Sequence, residues 1–288
     1  MDTLSLFPIY LATGAISGLL AGLLGIGGGL IMVPALLAGF AIAGVPSASI
    51  PALALGTSLT AVCFNSLLAS REHLRLGNLV QPFSGRMRVL AAWLVVGVLA
   101  GTLLSTRLPQ RGALLAIAVF QIIVGCQMLR ASFRPAPAAS GLSKAQLQAD
   151  LVPQQQLQPQ QARAFLLLTG MVSALGGIGG ATLLVPYFKR AGIEYSQAAA
   201  LSSGFGCVIG AAGCLSYALL GQADASIPMT LGSVNLPAFA SLALGASLLV
   251  RWGARLSKQL PQVLLTRGFC DFLLTSGGKL LLPMVLVL

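Results

Sequence analysis

The sequence has few charged residues. Asp, Glu, Lys and Arg make up only 8% of its 288 residues, whereas 56% of the residues are hydrophobic. A soluble domain carries about 25% charged residues, so a chain of this composition could not cover its own surface in water. It can do so in a lipid bilayer, where every backbone polar group must be satisfied internally.

Aromatic residues and regular alternation of polar and apolar residues are also scarce. Aromatics make up 6% of the chain, and the strands of a transmembrane β-barrel need both alternation and aromatic girdles. The composition therefore favours helices of about 20 apolar residues. We expect an all-α integral membrane protein that crosses the bilayer several times.

Groups that bind metals or carry out catalysis are few. The chain has one His and five Cys, with no CxxC pair, so a zinc or haem site is not expected. No clustered carboxylates, His pair or nucleophile–base spacing indicates an enzyme. The absence of a GxxxxGK[ST] motif argues against ATP-driven transport by this chain alone. The sequence predicts neither an enzyme nor a cofactor.

The chain nevertheless has a net charge of +11. The basic residues cluster in short stretches beside apolar segments, as membrane topology requires. No basic run is interleaved with aromatic residues, so a nucleic-acid partner is not expected. The expected partners are the lipid bilayer and a small substrate.

Apolar segments divide the chain into about eight candidate transmembrane helices. They lie at about residues 7–37, 47–70, 87–106, 112–131, 163–188, 195–220, 228–250 and 262–286. The N-terminal sequence lacks a basic region, and the first apolar stretch is too long for the core of a signal peptide. We interpret it as a retained membrane segment.

A stretch rich in Pro, Ala and Gln separates the fourth and fifth segments. It spans residues 134–161 and has too few apolar side chains to pack or to cross a membrane. We interpret it as a flexible linker. It divides the chain into a first transmembrane repeat, residues 1–133, and a second, residues 162–288.

Two motifs recur in these halves in one register. The run Gly25-Ile-Gly27-Gly28-Gly29 is followed 152 positions later by Gly177-Ile-Gly179-Gly180-Ala181, and both runs lead to Val-Pro. The same offset relates the stretch from Gly101 to Gln110 to the stretch from Gly253 to Gln262. Two matches in one register predict an internal duplication, with about four helices in each half and a glycine-broken first helix.

Duplicated halves with glycine-interrupted apolar segments are typical of transporters. In such proteins the substrate binds near the membrane midplane, where the halves meet. A glycine break exposes backbone N–H groups at the start of the next half-helix, which favours a bound anion. The alternative is that the glycines only allow close helix packing. Candidate anion-binding residues are Gly25, Gly27, Gly28, Gly29, Gly177, Gly179 and Gly180.

Small hydroxyl residues follow each glycine run one helix later. Thr57 and Ser58 occur in the first half, and Ser202 and Ser203 in the second. Their O–H groups can donate to an oxyanion, although they can equally bond to their own helix or across a packed interface. Asn65 lies about two turns beyond Thr57 and could line the path or bond a neighbour.

Ionisable groups are rare inside the apolar segments. Asp271 and Arg267 are four positions apart and could pair on one helix face; Asp271 is the single obvious candidate for proton coupling. Arg71, Glu72, His73 and Arg75 are interpreted as loop charges at a membrane boundary. With eight crossings the basic residues divide almost evenly between the two sides, and the cluster from Arg71 to Arg88 favours termini in the cytoplasm.

The glycine runs and the sequences after them resemble those of the TauE/SafE family of sulfite exporters and toluene sulfonate uptake permeases. The resemblance is carried by residues 22–34, by Leu55-Gly-Thr-Ser-Leu59, by the second run ending at Pro186, and by the basic stretch from Arg71 to Asn78. It implies a carrier of small anions in the cytoplasmic membrane, such as sulfite, sulfoacetate or other organosulfonates. Ala181 departs from the glycine pattern, as do Ser202-Ser203-Gly204.

The sequence thus favours a secondary carrier for a small anion that binds at the glycine breaks. A non-transporting membrane scaffold or assembly factor, whose glycines serve only packing, is the alternative. The substrate, the direction of transport, the coupling ion, the oligomeric state and the relative orientation of the repeats stay open. An even number of crossings per half makes the repeats parallel, and an odd number inverts them.

Overall fold

A computed structural model describes residues 6–25, 27–77, 85–132, 159–190, 195–222, 227–256, 271 and 273–281. The helices in this part of the chain are α1 (Phe7–Leu24), α2 (Gly29–Ile42), α3 (Ile50–Arg75), α4 (Gly85–Arg107), α5 (Gln110–Ser132), α6 (Pro159–Gly176), α7 (Ala181–Arg190), α8 (Tyr195–Leu220), α9 (Leu236–Leu256) and α10 (273–281). Most of the predicted linker, and Arg267 of the predicted ion pair, lie outside the described residues.

Five of these helices are long and apolar enough to cross a bilayer. They are α3, α4, α5, α8 and α9. Their outward faces carry large apolar side chains, including Leu103, Leu219 and Leu248, which are exposed in the isolated chain. Lipid is the solvent that accommodates such a surface. The expectation of an all-α protein with several membrane helices is confirmed.

The first apolar segment, expected to be a single broken crossing, is instead a helical hairpin. Tyr10 near the start of α1 packs against Phe40 near the end of α2, with 6.3 Å between ring centroids. In the second half, Phe165 of α6 stacks on Tyr187 of α7 at 4.7 Å. Each hairpin therefore returns towards the side on which it begins, and neither adds a net crossing. The expectation of four crossings in each half is corrected accordingly.

Glycines with positive φ reverse the chain at the tip of each hairpin. Gly25 and Gly28 have φ values of 72° and 78°, and Gly177 and Gly180 both have φ of 67°. Residues with a Cβ rarely adopt this region. A glycine run between two apolar helices thus allows a tight turn inside the protein, where the sequence alone suggested a break between two half-helices of one crossing.

Glycines also bring pairs of helices into backbone contact. A Cβ at Gly14, Gly18 or Gly22 of α1 would overlap the backbone of Leu242, Ala246 or Val250 of α9. Because these numbers rise together, α1 and α9 run parallel. The same relation holds between α4 and α6, where a Cβ at Gly97 or Gly101 would overlap the backbone at Leu167 or Met171. Small residues at close helix contacts are typical of membrane proteins.

The two central helices, α3 and α8, run in opposite directions. Gly210 of α8 faces Cys63 of α3, and Gly213 faces Leu59, so residue numbers fall along one helix as they rise along the other. These helices occupy corresponding places in the two predicted repeats. Three crossings in the first half, α3 to α5, place its end opposite its start. An inverted relation of the halves follows from these directions, whereas the internal duplication stays a prediction of the sequence.

The charges after the second apolar segment lie on a helix rather than in a loop. The helix α3 continues to Arg75. His73 is fully buried, and its Nε2 lies 3.1 Å from the carbonyl oxygen of Gly22. Glu72 is largely buried and accepts a hydrogen bond from Arg75 at 2.8 Å, with Arg251 of α9 at 3.6 Å. This cluster places the ends of α1, α3 and α9 on one side of the protein.

A short antiparallel β-hairpin precedes α9. Its strands are β1 (Thr230–Leu231) and β2 (Val234–Asn235), with Gly232 at positive φ in the turn. The sequence predicted that a helix would begin at about residue 228, but α9 begins at Leu236. The Asn235 side-chain oxygen accepts the N–H of Ala238 at 3.0 Å, which caps the start of α9.

Candidate functional site

The glycine turns of the two hairpins meet inside the protein. A Cβ at Gly29 would overlap the carbonyl oxygen of Gly177, and a Cβ at Gly27 would lie 3.5 Å from the Cα of Gly179. These residues come from opposite halves of the sequence. The structure therefore brings together four of the predicted anion-binding glycines: Gly27, Gly29, Gly177 and Gly179.

The helix α3 passes beside both turns and bonds to each of them. Ser58 donates to the carbonyl oxygen of Gly177 at 2.8 Å. Two turns further along, Asn65 Nδ2 donates to the carbonyl oxygen of Gly27 at 3.3 Å. Both side chains are fully buried. Ser58, predicted as a site residue, thus lies at the meeting point, and Asn65 lies there with it.

Ser66 is a residue of this region that the sequence did not single out. Its Oγ lies 3.0 Å from the place a Cβ would take on Gly27, and it would be overlapped by a Cβ on Gly206 of α8. Ser66 is 1% exposed, and its hydroxyl has no hydrogen-bond partner among the described residues. No local pattern in the sequence marks Ser66, because Gly206, which approaches it, belongs to the second half.

Thr57, by contrast, contacts the start of α9. Its Oγ1 accepts the backbone N–H of Asn235 at 2.9 Å, and the residue is fully buried. Next to it, a Cβ at Gly56 would overlap the carbonyl oxygen of Ser233. This contact gives the Thr57 oxygen a structural partner. Its role in binding a ligand stays a prediction.

Gly28 faces the interior of its own hairpin, whereas Gly180 faces both its own hairpin and Ile209 of α8. A Cβ at Gly28 would lie 2.7 Å from the Cβ of Ser17 in α1. At Gly180 it would overlap the side chain of Ile209 and lie 3.1 Å from the hydroxyl of Ser173 in α6. These two glycines shape the turns and allow each hairpin to close. Gly25 instead approaches the backbone of Ala199 at the start of α8.

The two serines of the second half differ from each other. Ser203 donates to the carbonyl oxygen of Ala199 in its own helix at 2.8 Å, a local bond that many helical serines make. Ser202 is fully buried, and its hydroxyl has no partner in the described part of the chain. Of the two, Ser202 therefore has the hydroxyl that a ligand could use.

The electrostatics of the meeting point come from the backbone. Helices α2 and α7 begin directly after the two turns, at Gly29 and Ala181. The first N–H groups of a helix have no acceptor within it, and the helix dipole adds a partial positive charge there. Two helix N-termini from opposite halves thus lie close together in a region of low dielectric. Such an arrangement favours a small anion over a cation.

Metal binding has no support in the described ranges. They contain no group of three His, Cys, Asp or Glu residues placed to hold a metal ion. Asp271, the predicted candidate for proton coupling, is exposed on a helical turn. The arrangement at the glycine turns suits reversible binding of an anion by hydrogen bonds.

The sequence of the chain is similar to those of a known protein family. The chain matches the profile of the family described as "Sulfite exporter TauE/SafE" over residues 10–280. The chain belongs to the sulfite exporter TauE/SafE family. The match covers both hairpins and all of the helices α3 to α9, so the resemblance noted in the sequence is confirmed. No solved structure matches the chain.

Curated relatives of this TauE/SafE chain are named as transporters. A "Probable membrane transporter protein" of Haemophilus influenzae is 29% identical over 275 residues, which cover 95% of this chain and 97% of the relative. A protein of the same description from Methanocaldococcus jannaschii is 27% identical and covers 82% of this chain and 80% of its own length. A third, from Bacillus subtilis, is 27% identical over 183 residues, covering 62% of this chain and 66% of the relative. The chain is a multi-pass membrane protein of a transporter family.

Proposed function

We propose that this protein is a secondary carrier in the cytoplasmic membrane that moves a small sulfur oxyanion or organosulfonate, such as sulfite or sulfoacetate. The anion binds where the glycine turns of the two hairpins meet. The proposal comprises the predicted residues Gly25, Gly27, Gly28, Gly29, Thr57, Ser58, Gly177, Gly179, Gly180, Ser202 and Ser203, to which the geometry adds Asn65 and Ser66.

The observation that carries the proposal is the contact between the two turns. Gly29 and Gly177 are separated by 148 positions in the chain, yet a Cβ on one would overlap the carbonyl oxygen of the other. A carrier needs a site that both halves share, so that rocking of one half against the other opens it to alternate sides. The inverted directions of α3 and α8 suit such a movement.

The chemistry of the turns supports a singly or doubly charged oxyanion. Backbone N–H groups and hydroxyls can surround sulfonyl oxygens without a buried cationic side chain, whose desolvation would cost several kcal/mol. Weak, purely hydrogen-bonded sites also release their ligand readily, as a carrier requires. The family description supplies the sulfite class.

The scaffold alternative interprets the glycines as packing residues. The contacts of Gly14, Gly18 and Gly22 with α9 are of that kind. They do not account for the hydroxyls of Ser66 and Ser202, which are buried and unpartnered in the described chain. Leaving a polar group buried without a partner costs about 1–3 kcal/mol of stability. A scaffold has no ligand that would satisfy these hydroxyls.

Uptake of radiolabelled sulfite into liposomes that contain the purified protein tests the proposal. Liposomes preloaded with unlabelled sulfite should accumulate label transiently by exchange, and liposomes without the protein should not. Sulfoacetate and ethanesulfonate added outside should compete. Properly folded protein that exchanges none of these anions would leave the scaffold alternative as the better account.

A further inference from the structure

The orientation of the Asn65 amide is fixed by its neighbours. Its Nδ2 lies 3.3 Å from the carbonyl oxygen of Gly27, which can only accept, and 3.4 Å from the hydroxyl of Ser17. The Ser17 hydroxyl donates to the carbonyl oxygen of Gly14 at 2.9 Å, so towards Asn65 it accepts. Exchanging the amide oxygen and nitrogen would set two acceptors against each other. The nitrogen therefore faces Gly27 and Ser17, and the oxygen faces elsewhere.

Asn65 Oδ1 is therefore a buried acceptor to which no group of the described residues donates a hydrogen bond. The residue is 0% exposed, and Oδ1 has no hydrogen-bond partner within the described ranges. Because the two amide atoms share one carbon, Oδ1 lies beside the same glycine turn that Nδ2 contacts.

Donors lie around the same turn. The unpartnered hydroxyl of Ser66 is close to Gly27 and Gly206, and α2 begins two residues after Gly27. An oxyanion offers acceptors to these groups but nothing to Asn65 Oδ1. A ligand that also carries an O–H or N–H group would satisfy both kinds of group at once, and a buried acceptor strongly prefers such a ligand.

We propose that the transported anion carries a hydrogen-bond donor of its own, which Asn65 Oδ1 accepts while Ser66 and the glycine turns bind the sulfonyl or equivalent oxygens. The inference rests on the proposed anion-carrier function and narrows its substrate class. The donor is either a proton retained on the oxyanion itself or a hydroxyl or amino group on the organic part of a sulfonate.

Two matched pairs of ligands test the inference with detergent-purified wild-type protein and titration calorimetry. Methylphosphonate in its singly protonated form and methanesulfonate have nearly the same shape and charge, but only the former has an O–H on the headgroup. 2-Hydroxyethanesulfonate and ethanesulfonate differ by a hydroxyl on the organic part. The donor-bearing member of at least one pair should bind about 2- to 10-fold more tightly, the value of a net hydrogen bond. The pair that shows the preference identifies where the donor lies.

Two variants test whether Asn65 causes the tighter binding of the donor-bearing ligand. Asn65→Leu should remove it, whereas Ser17→Ala, which deletes the other acceptor of Nδ2 and leaves Oδ1 in place, should retain it. Since Asn65→Leu also removes the bond to Gly27, the wild-type comparison decides if that variant does not fold. Equal binding within both pairs overturns the inference and leaves the proposed function standing. Binding of none of the four anions, nor of sulfite, overturns both.

Discussion

Gly28 illustrates how much a single residue controls in this structure. It combines a φ of 78° with a position facing Ser17, where a Cβ would be only 2.7 Å from the Ser17 Cβ. Gly44, between α2 and α3, has nearly the same φ of 77°, but no atom of the described residues lies within 4 Å of the place its Cβ would take. Substitutions at the two glycines therefore distinguish the effect of backbone strain from the effect of steric overlap.

We expect Gly28→Val to abolish sulfite exchange and to lower the thermal stability of the purified protein, because the hairpin can no longer close. Gly44→Val carries the same backbone penalty without the overlap, and should exchange sulfite at close to the wild-type rate. Exchange assays and melting curves of both variants check this. Similar activity in the two would mean that closure of the hairpin against Ser17 is unimportant.

Thr57 provides a second prediction at this scale. Thr57→Val removes the acceptor of the Asn235 N–H, so we expect a loss of about 1–3 kcal/mol of stability. Thr60→Val is the control, because within the described ranges the Thr60 hydroxyl bonds back to Gly56 in its own helix. Melting temperatures in detergent should fall for the first variant and change little for the second. A Thr57 variant with unchanged stability and weakened sulfite affinity would instead favour direct contact with the ligand.

Individual site residues were only partly predictable from the sequence. Ser58 could be found because a hydroxyl followed the glycine run at a suitable spacing. Ser66 could not, because its significance comes from Gly206, which lies 140 positions away and approaches it only in the folded protein. Likewise, the partner of Thr57 is the backbone N–H of Asn235 at the end of a β-hairpin. No local sequence pattern predicts that contact.

Among the elements, the helical hairpins were the ones that the sequence did not predict. An apolar stretch interrupted by glycines is compatible with a kinked helix or a reversal, since both use the same composition. Whether the chain kinks or reverses depends on which residues α1 packs against. With 18 residues, α1 is about 27 Å long, which is close to the thickness of the hydrocarbon core. Even so, Phe40 of α2 packs against Tyr10 at the start of α1, so the chain reverses.

The contact between α1 and α9 gives a prediction for an element. A Cβ at Gly18 would overlap the backbone of Ala246, so Gly18→Ala should push the helices apart and cost about 1–3 kcal/mol. Gly112→Ala in α5 is the matched control, because its Cβ would come no nearer than 3.5 Å to any atom of the described residues and alanine favours the helix. Melting curves should show a loss for Gly18→Ala and no loss for Gly112→Ala. Equal stability would show that the α1–α9 contact is loose.

For the whole molecule, the hairpins change the distribution of charge across the membrane. With no net crossing by either hairpin, the ends of α3, α5, α7 and α9 and the starts of α4 and α6 share one side. Among the described residues, the basic residues on that side are Arg71, Arg75, Arg86, Arg88, Arg130, Arg163, Lys189, Arg190, Arg251 and Arg255. The opposite side has Arg107 and Arg111 where α4 meets α5, and Lys279 on α10. The nearly even division expected from eight crossings becomes a strong bias.

This bias predicts the orientation. Basic residues concentrate on the cytoplasmic side, so the segment between α5 and α6 should be cytoplasmic and both chain ends should lie outside. The sequence alone favoured termini in the cytoplasm, because it counted each hairpin as a crossing. Alkaline phosphatase fused at Leu288 should be active, and the same enzyme inserted between residues 133 and 158 should be inactive. Activity at both places, or at neither, would contradict an odd number of crossings between them, which we expect to be α8, α9 and the segment that contains α10.

We expect the substrate to bind where the two glycine turns meet, and a change at Ser66 tests this most directly. The measurement is the concentration dependence of radiolabelled sulfite exchange in liposomes for Ser66→Ala and for Ser247→Ala. Ser247 is a serine of α9 whose exposed side chain bonds, in the described part of the chain, to Leu244 of its own helix. A hydrogen bond to a charged ligand is worth about 1.5–3 kcal/mol, so half-saturation should rise by about 10-fold or more for Ser66→Ala and stay unchanged for Ser247→Ala. Wild-type protein that exchanges sulfite, with the same half-saturation in both variants, would contradict the account.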